Sequence, residues 1–182
     1  PDEICYSILI NACARGHQVE KAIMLYEEME QKYMFPTEVT FNTLMYACCM
    51  RDDTLHRVPE MYDKLETFGY KPNIYTFNIL IYWCGRTGSL EKLGKILDAM
   101  QEFKVKPNEV TYNSYFSALG KCQPFHSERQ EENIRIALIL YEKMKKDGMP
   151  ITAFTLNGVL SVYTYALRLN RAQKFFDNEY KA

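Results

Sequence analysis

The sequence predicts an all-α chain of stacked antiparallel helix pairs. Three observations carry this expectation. One phrase is written three times, as "FPTEVTFNTL" from Phe35, "KPNIYTFNIL" from Lys71 and "KPNEVTYNSY" from Lys106. The aromatic of that phrase recurs at Tyr6, Phe41, Phe77 and Tyr112, at spacings of 35, 36 and 35 residues, with Leu156 following 44 residues later. The second half of each unit repeats as well, in "VEKAIMLYEEME", "LEKLGKILDAMQ" and "IRIALILYEKMK". A fixed period of this length marks an array in which each unit buries its apolar face only against its neighbours.

Within a unit the two halves read differently. Leu90, Leu93, Ile96, Leu97 and Met100 fall on one stripe of a helix, which is the pattern of a half-buried amphipathic element. First halves such as "YTFNILIYWCGR" are apolar nearly all round and suit a helix packed between neighbours on both sides. Turn chemistry separates the halves, in "RGHQ" after Ala14 and "RTGS" after Gly85, and Ser89 is placed to cap the helix that follows. Pro36, Pro72 and Pro107 stop each second helix and open the next unit. First helices are expected near 4–15, 39–51, 75–86, 110–121 and 154–166, and second helices near 18–32, 55–69, 89–103, 131–147 and 169–180. Two irregularities stand out. Pro59 should kink or shorten the second helix around it. About nine extra polar residues, near "QPFHSERQE", lengthen the fourth unit and read as a surface loop.

Global properties fit a globular chain. At 182 residues it can bury a core without disulfides or metal, and its 47% hydrophobic and 25% charged residues are ordinary. A net charge of −1 points to no polyanionic partner by itself. Apolar runs such as "FNILIYWC" fall far short of the ~20 residues a membrane span needs. The chain starts at Pro1 inside a repeat, and "PD" reads as the end of an earlier unit, so it is expected to be a segment of a longer protein whose targeting signal lies elsewhere.

The helix pair of about 35 residues, headed by "VTYN", carrying "EKAIMLYEEM" in its second helix and closed by "KPN", resembles the pentatricopeptide repeat (PPR) family. The resemblance covers the whole chain as a single array, with repeats at approximately 3–37, 38–73, 74–108, 109–152 with the insertion, and a truncated 153–182. Tetratricopeptide repeats are the near miss, but their Trp/Leu-Gly/Tyr head is absent and Trp83 stands in the wrong context. The resemblance implies a right-handed α-solenoid whose first helices line the concave face. It also implies that each repeat presents one RNA base to a few side chains.

Two residues per repeat would read that base. Those after the aromatic, or after Leu156 in the fifth unit, are Ser7, Asn42, Asn78, Asn113 and Asn157, and those after the proline are Thr37, Asn73 and Asn108, with Thr152 in the same register though its proline, Pro150, falls one place early. A carboxamide carries an acceptor and two donors and so suits an unpaired Watson–Crick edge. Asparagine near a helix start can equally cap the helix or bond its own backbone. By the family code, Asn42 with Asn73 and Asn78 with Asn108 resemble pyrimidine readers, Asn113 with Thr152 leans the same way, and Ser7 with Thr37 is off-pattern. The resemblance places Ile4, Val39, Tyr75, Val110 and Phe154 between successive bases, with core packing as the alternative. It makes Arg15, Arg86 and Lys121 phosphate contacts, with Arg51 one residue out of register, against an alternative of ordinary surface charge.

Other chemistry finds little support. Cys13, Cys48 and Cys84 share one repeat position and no C-x₂-C pair exists, so the six cysteines read as buried core residues and not as metal ligands. The "HSE" at His126 to Glu128 matches the first half of a zinc-deaminase signature, but no P-C-x-x-C follows it. No aspartate cluster suggests a nuclease. The expectation is a non-enzymatic chain without cofactor that binds single-stranded RNA or rRNA, together with other proteins of a ribonucleoprotein assembly. The resemblance places it in the mitochondrion, with the plastid as the other organelle. A structural subunit of a mitochondrial ribosome is the favoured role, since four complete repeats and irregular code positions give modest specificity. A sequence-specific RNA processing or editing factor is the first alternative, and a protein-binding scaffold without RNA is the second.

Overall fold

The computed structural model describes residues 2–122 and 127–180, with the side chains of 127–129 and 180 left aside. His126, the first residue of the "HSE" triplet, lies outside the described residues. Among the described residues the regular structure is entirely helical. First helices are α1 (Glu3–Arg15), α3 (Glu38–Cys48), α5 (Ile74–Thr87), α7 (Glu109–Lys121) and α9 (Ala153–Tyr165). Second helices are α2 (Val19–Gln31), α4 (Arg57–Thr67), α6 (Leu90–Glu102), α8 (Ser127–Lys146) and α10 (Leu169–Tyr180). No described helix is long and apolar enough to cross a membrane.

The starts of the first helices share one chemistry. Thr37, Asn108 and Thr152 are the N-caps of α3, α7 and α9. Each exchanges hydrogen bonds with a threonine three residues on, namely Thr40, Thr111 and Thr155. Asn73 does the same ahead of α5, its Oδ1 accepting the amides of Tyr75 at 2.8 Å and Thr76 at 3.0 Å. Asp2 opens α1 by accepting the Cys5 amide at 2.8 Å, which holds its carboxyl below the ordinary range. Each cap satisfies amides that the helix itself leaves without acceptors.

The ends are as regular. The second residue past α2, α4, α6 and α8, at Tyr33, Gly69, Lys104 and Gly148, has a positive φ. The next amide reaches back across the last turn, as from Met34 to the Met29 carbonyl at 3.0 Å, which is a Schellman closure. The turns inside the helix pairs close in the same way at His17, Gly88 and Leu167. In "RGHQ" the left-handed residue is thus His17 and not the glycine before it.

Three sequence expectations need correction. Ser89 stands at the N-cap of α6, but its side chain caps nothing and accepts the Thr87 hydroxyl instead, at 3.1 Å. The insertion is helical from Ser127 onward, so α8 starts four residues ahead of expectation and only 123–126 are left outside the described residues. The helix expected from residue 55 begins at Arg57, after a 3₁₀ turn at Asp52–Thr54. This start puts Pro59 third in α4, where its missing N–H has no helical acceptor to lose.

The chain divides into two compact units, residues 1–79 and 80–182. In the first, α1 packs on α2 and α3, and α3 packs on α4. Its core holds Tyr6, Ile10, Tyr26, Met29, Phe41, Leu44, Met61 and Leu65, all buried. In the second, α7 packs on α6, α8 and α9, and α9 on α10, around Phe116, Leu119, Tyr141, Met144, Val159 and Val162. The crossings there are close. A Cβ on Gly85 would lie 3.0 Å from the Ala118 Cα, and one on Gly158 would lie 3.0 Å from the Phe116 Cβ.

Candidate functional site

Five apolar side chains at one repeat position stand in solvent. Ile4, Val39, Tyr75, Val110 and Phe154 are 69%, 67%, 71%, 58% and 78% exposed. Each is the second residue of its first helix, and Val39, Tyr75, Val110 and Phe154 each precede a deeply buried threonine, Thr40, Thr76, Thr111 or Thr155. The core-packing alternative is thereby excluded for all five.

Residues after the aromatic lie one turn further along the same helices. Ser7 Oγ sits 3.1 Å from Thr40 Oγ1 and donates to the Glu3 carbonyl at 2.9 Å. Asn42 Oδ1 accepts the Thr76 hydroxyl at 2.9 Å. The Oδ1 atoms of Asn78 and Asn113 are buried with no partner among the described residues. Asn157 is exposed. The residues after the proline are the helix caps already described, so the capping role considered for asparagine falls to Asn73 and Asn108, not to Asn42, Asn78 or Asn113. Asn73 also donates its amide nitrogen to Glu38, and the Thr152 hydroxyl donates to Glu109 at 3.0 Å.

Unit 80–182 brings several of the expected residues together. A groove of about 450 Å³ is lined by Val110, Asn113, Phe154 and Lys121, together with Glu109 and Tyr82. Two apolar side chains, one carboxamide and one cation therefore line one groove, without Thr152. Lys121 Nζ lies 5.5 Å from the Tyr82 ring centroid and is otherwise exposed. Arg15 is exposed and Arg86 is half-buried. Arg51 pairs with Glu20 at 2.5 Å and Asp53 at 2.6 Å.

The cysteines do not behave alike. Cys48, Cys49, Cys84 and Cys122 are buried, but Cys13 is half-buried and Cys5 exposed, so the expectation of a uniform core role fails for those two. Burial pushes the Cys48 and Cys122 thiols up to about 11 and Cys84 up to about 12. Among the described residues no group of three His, Cys, Asp or Glu is placed to hold a metal ion.

Two sets of residues escaped sequence reasoning. The threonine before each aromatic, at 40, 76, 111 and 155, was visible as the "T" of "VTYN" but carried no assigned role. Glu38 and Glu109, first residues of α3 and α7, look like ordinary first-turn acids in sequence. Only folding brings their carboxylates to Asn73 and Thr152, 35 and 43 residues away.

Comparison with known proteins agrees with this anatomy. Over 50 residues the chain is 32% identical to a chloroplastic pentatricopeptide repeat-containing protein of Arabidopsis thaliana. The match spans 28% of this chain and 8% of that relative. The fold matches the pentatricopeptide repeat protein PPR10 of maize in complex with an 18-nt psaJ RNA element. That match has a TM-score of 0.70 and 21% identity over 100% of this chain and 28% of that one. It also matches the PPR domain of Arabidopsis protein-only RNase P 1 in complex with tRNA, with a TM-score of 0.75 and 16% identity over 97% of this chain and 88% of that one. These structural likenesses establish the α-solenoid fold. The chain spans less than a third of the maize protein and a small part of the curated relative. The PPR repeat family model itself matches residues 1–50 and 72–121, more than half the chain, and with the recurring helix pairs this makes the chain a member of the PPR repeat family.

Proposed function

We propose that this chain binds single-stranded RNA along its first helices, one base per repeat, and has no catalytic activity of its own. The observation that carries the reading is the exposure of Ile4, Val39, Tyr75, Val110 and Phe154 at one register position, beside the reading residues of each helix. Bases entering between these side chains would remove apolar surface from water on both faces. They would meet Ser7, Asn42, Asn78, Asn113 or Asn157 on one edge, and the caps Thr37, Asn73, Asn108 or Thr152 on the other. Arg15, Arg86 and Lys121 close the first helices and are assigned to the phosphates. Fold relatives that carry an RNA element and a tRNA support this reading. The unit of function is the single array, with repeats at approximately 3–37, 38–73, 74–108, 109–152 and 153–182.

The place of action is an organelle, which the chloroplastic relative supports. The mitochondrion is assigned on family resemblance. There the chain serves as a structural RNA-binding subunit of a large ribonucleoprotein such as the mitochondrial ribosome. The regular placement of Asn42, Asn78 and Asn113 favours the alternative of a sequence-specific processing or editing factor. RNA cross-linked to the full-length protein and sequenced separates the two: rRNA supports the assembly role, one defined transcript the processing role.

RNA binding itself is tested by anisotropy with single-stranded RNA, comparing the parent with Tyr75→Ala and Phe154→Ala. Base–aromatic stacking contributes about 1–3 kcal/mol per base, so each variant should lose roughly five- to hundredfold in affinity. Helicity should not change, because both side chains are exposed. A parent without RNA affinity, or variants that bind as it does, would overturn the proposal in favour of a protein scaffold.

A further inference from the structure

We propose that Glu109 is a specificity-determining residue of the groove in unit 80–182 and selects cytosine over uracil there, an inference that rests on the RNA-binding reading above. Glu109 sits where both reading residues of its repeat meet. Its Oε1 accepts the Thr152 hydroxyl at 3.0 Å and takes a long contact from Asn113 Nδ2 at 3.5 Å. Its Oε2 accepts nothing among the described residues, and the residue lines the groove with Val110, Asn113 and Phe154. Asn113 has its Oδ1 buried, so the carboxamide offers the groove an N–H and not an oxygen.

The groove therefore presents one donor next to one ionised acceptor. Cytosine carries an acceptor at N3 beside an exocyclic amine at C4, and an amine of this kind is what a carboxylate accepts from. N3 takes the Asn113 N–H while the amine donates to Glu109 Oε2. Uracil offers a carboxylate only N3–H, flanked on both sides by carbonyl oxygens that the negative charge repels. The cation at Lys121 lies in the same groove and offsets the cost of holding a carboxylate beside a polyanion.

This arrangement differs between repeats. Glu38 holds Asn73 as Glu109 holds Thr152, whereas Ile74 and Ala153 occupy the same place at the heads of α5 and α9 and supply no acceptor. The two-residue code does not include this position. Cytosine preference should accordingly track the acid and be weaker where Ile74 or Ala153 stands.

The test uses the full-length protein. Selection from a random single-stranded RNA pool gives the preferred sequence, and the probes are that RNA and its single C→U variants. The position read at the head of α7 should show a C-over-U preference of roughly five- to hundredfold. Glu109→Gln should bring that ratio close to one at this position alone, with the neighbouring ratios and the helicity unchanged, because a glutamine carbonyl still accepts from Thr152. Glu109→Asp keeps the charge and should retain part of the preference. If RNA binds and Glu109→Gln leaves every C/U ratio intact, the inference fails while the RNA reading stands. If the parent binds no RNA of any sequence, both fall.

Discussion

The carboxamide oxygen of Asn42 accepts the hydroxyl of Thr76, 34 residues further along the chain, at 2.9 Å. A reading residue of one repeat is thus oriented by a buried threonine of the next, whose backbone amide is in turn held by Asn73. The bond commits Asn42 Oδ1 to the protein and turns its N–H groups outward. Under the proposed reading, base preference in a repeat depends on its successor as well as on its own two code residues.

Removing the reading carboxamides should weaken recognition without unfolding the chain. In Asn42→Ala the Thr76 hydroxyl keeps Asn73 Oδ1 at 3.3 Å, so no buried donor is orphaned and the stability loss should stay near 1 kcal/mol. Asn42→Ala with Asn78→Ala should bind pyrimidine-containing RNA several-fold less tightly, with the parent's helical circular dichroism. Equal affinities for matched RNA would sink the code assignment.

Neutralising Arg15, Arg86 and Lys121 together should lower affinity for all sequences and flatten its salt dependence. Each lost phosphate contact removes roughly 0.7 from the log–log slope on a single strand, while base preference survives. Titration of binding against salt reads both quantities. A slope unchanged in the triple variant would make these cations ordinary surface charge.

Thiol chemistry should separate the six cysteines into classes. Cys5 should react first with an alkylating agent and Cys13 more slowly. Cys48, Cys49, Cys84 and Cys122 should react only on unfolding, since they are buried. Raised thiol values in the folded state also predict alkaline sensitivity. The unfolded thiol, near 9, loses its proton before the folded ones at about 11 to 12. Stability from these groups is therefore complete below pH ~9 and falls as pH rises above that value. Mass spectrometry of the labelled chain and unfolding curves from pH 8 to 11 check the two expectations; early labelling of Cys84 would contradict the packing of α5.

Gly85→Ala should destabilise the chain. Alanine gains about 1 kcal/mol in helix propensity, but its Cβ would stand 3.0 Å from the Ala118 backbone and 3.1 Å from its Cβ. Overpacking of this kind costs about 1–3 kcal/mol, so the net effect should be a loss of up to 2 kcal/mol in a denaturant titration. Gly94→Ala, with nothing within 4 Å, should instead stabilise by up to 1 kcal/mol. The reverse order of the two variants would refute the close crossing of α5 and α7.

Sequence alone determined the helix pairs, because a period near 35 residues, two kinds of apolar pattern and the capping and closing residues are local signals. Boundaries failed where a local signal was weak or misleading: the polar insertion, which continues a helix, and Ser89, whose hydroxyl has a nearer partner in Thr87. The shared register of positions 7, 42, 78, 113 and 157 was legible for the same reason, since a repeat aligns them without any structure. What each does was not legible. Only the tertiary structure decided that residues 4, 39, 75, 110 and 154 are exposed, because period and hydropathy are the same for a buried valine and a solvent-facing one. Only folding joined Asn42 to Thr76 and Glu109 to Thr152, since a bond between residues 34 or 43 apart depends on how neighbouring helix pairs stack, which no short window of sequence encodes.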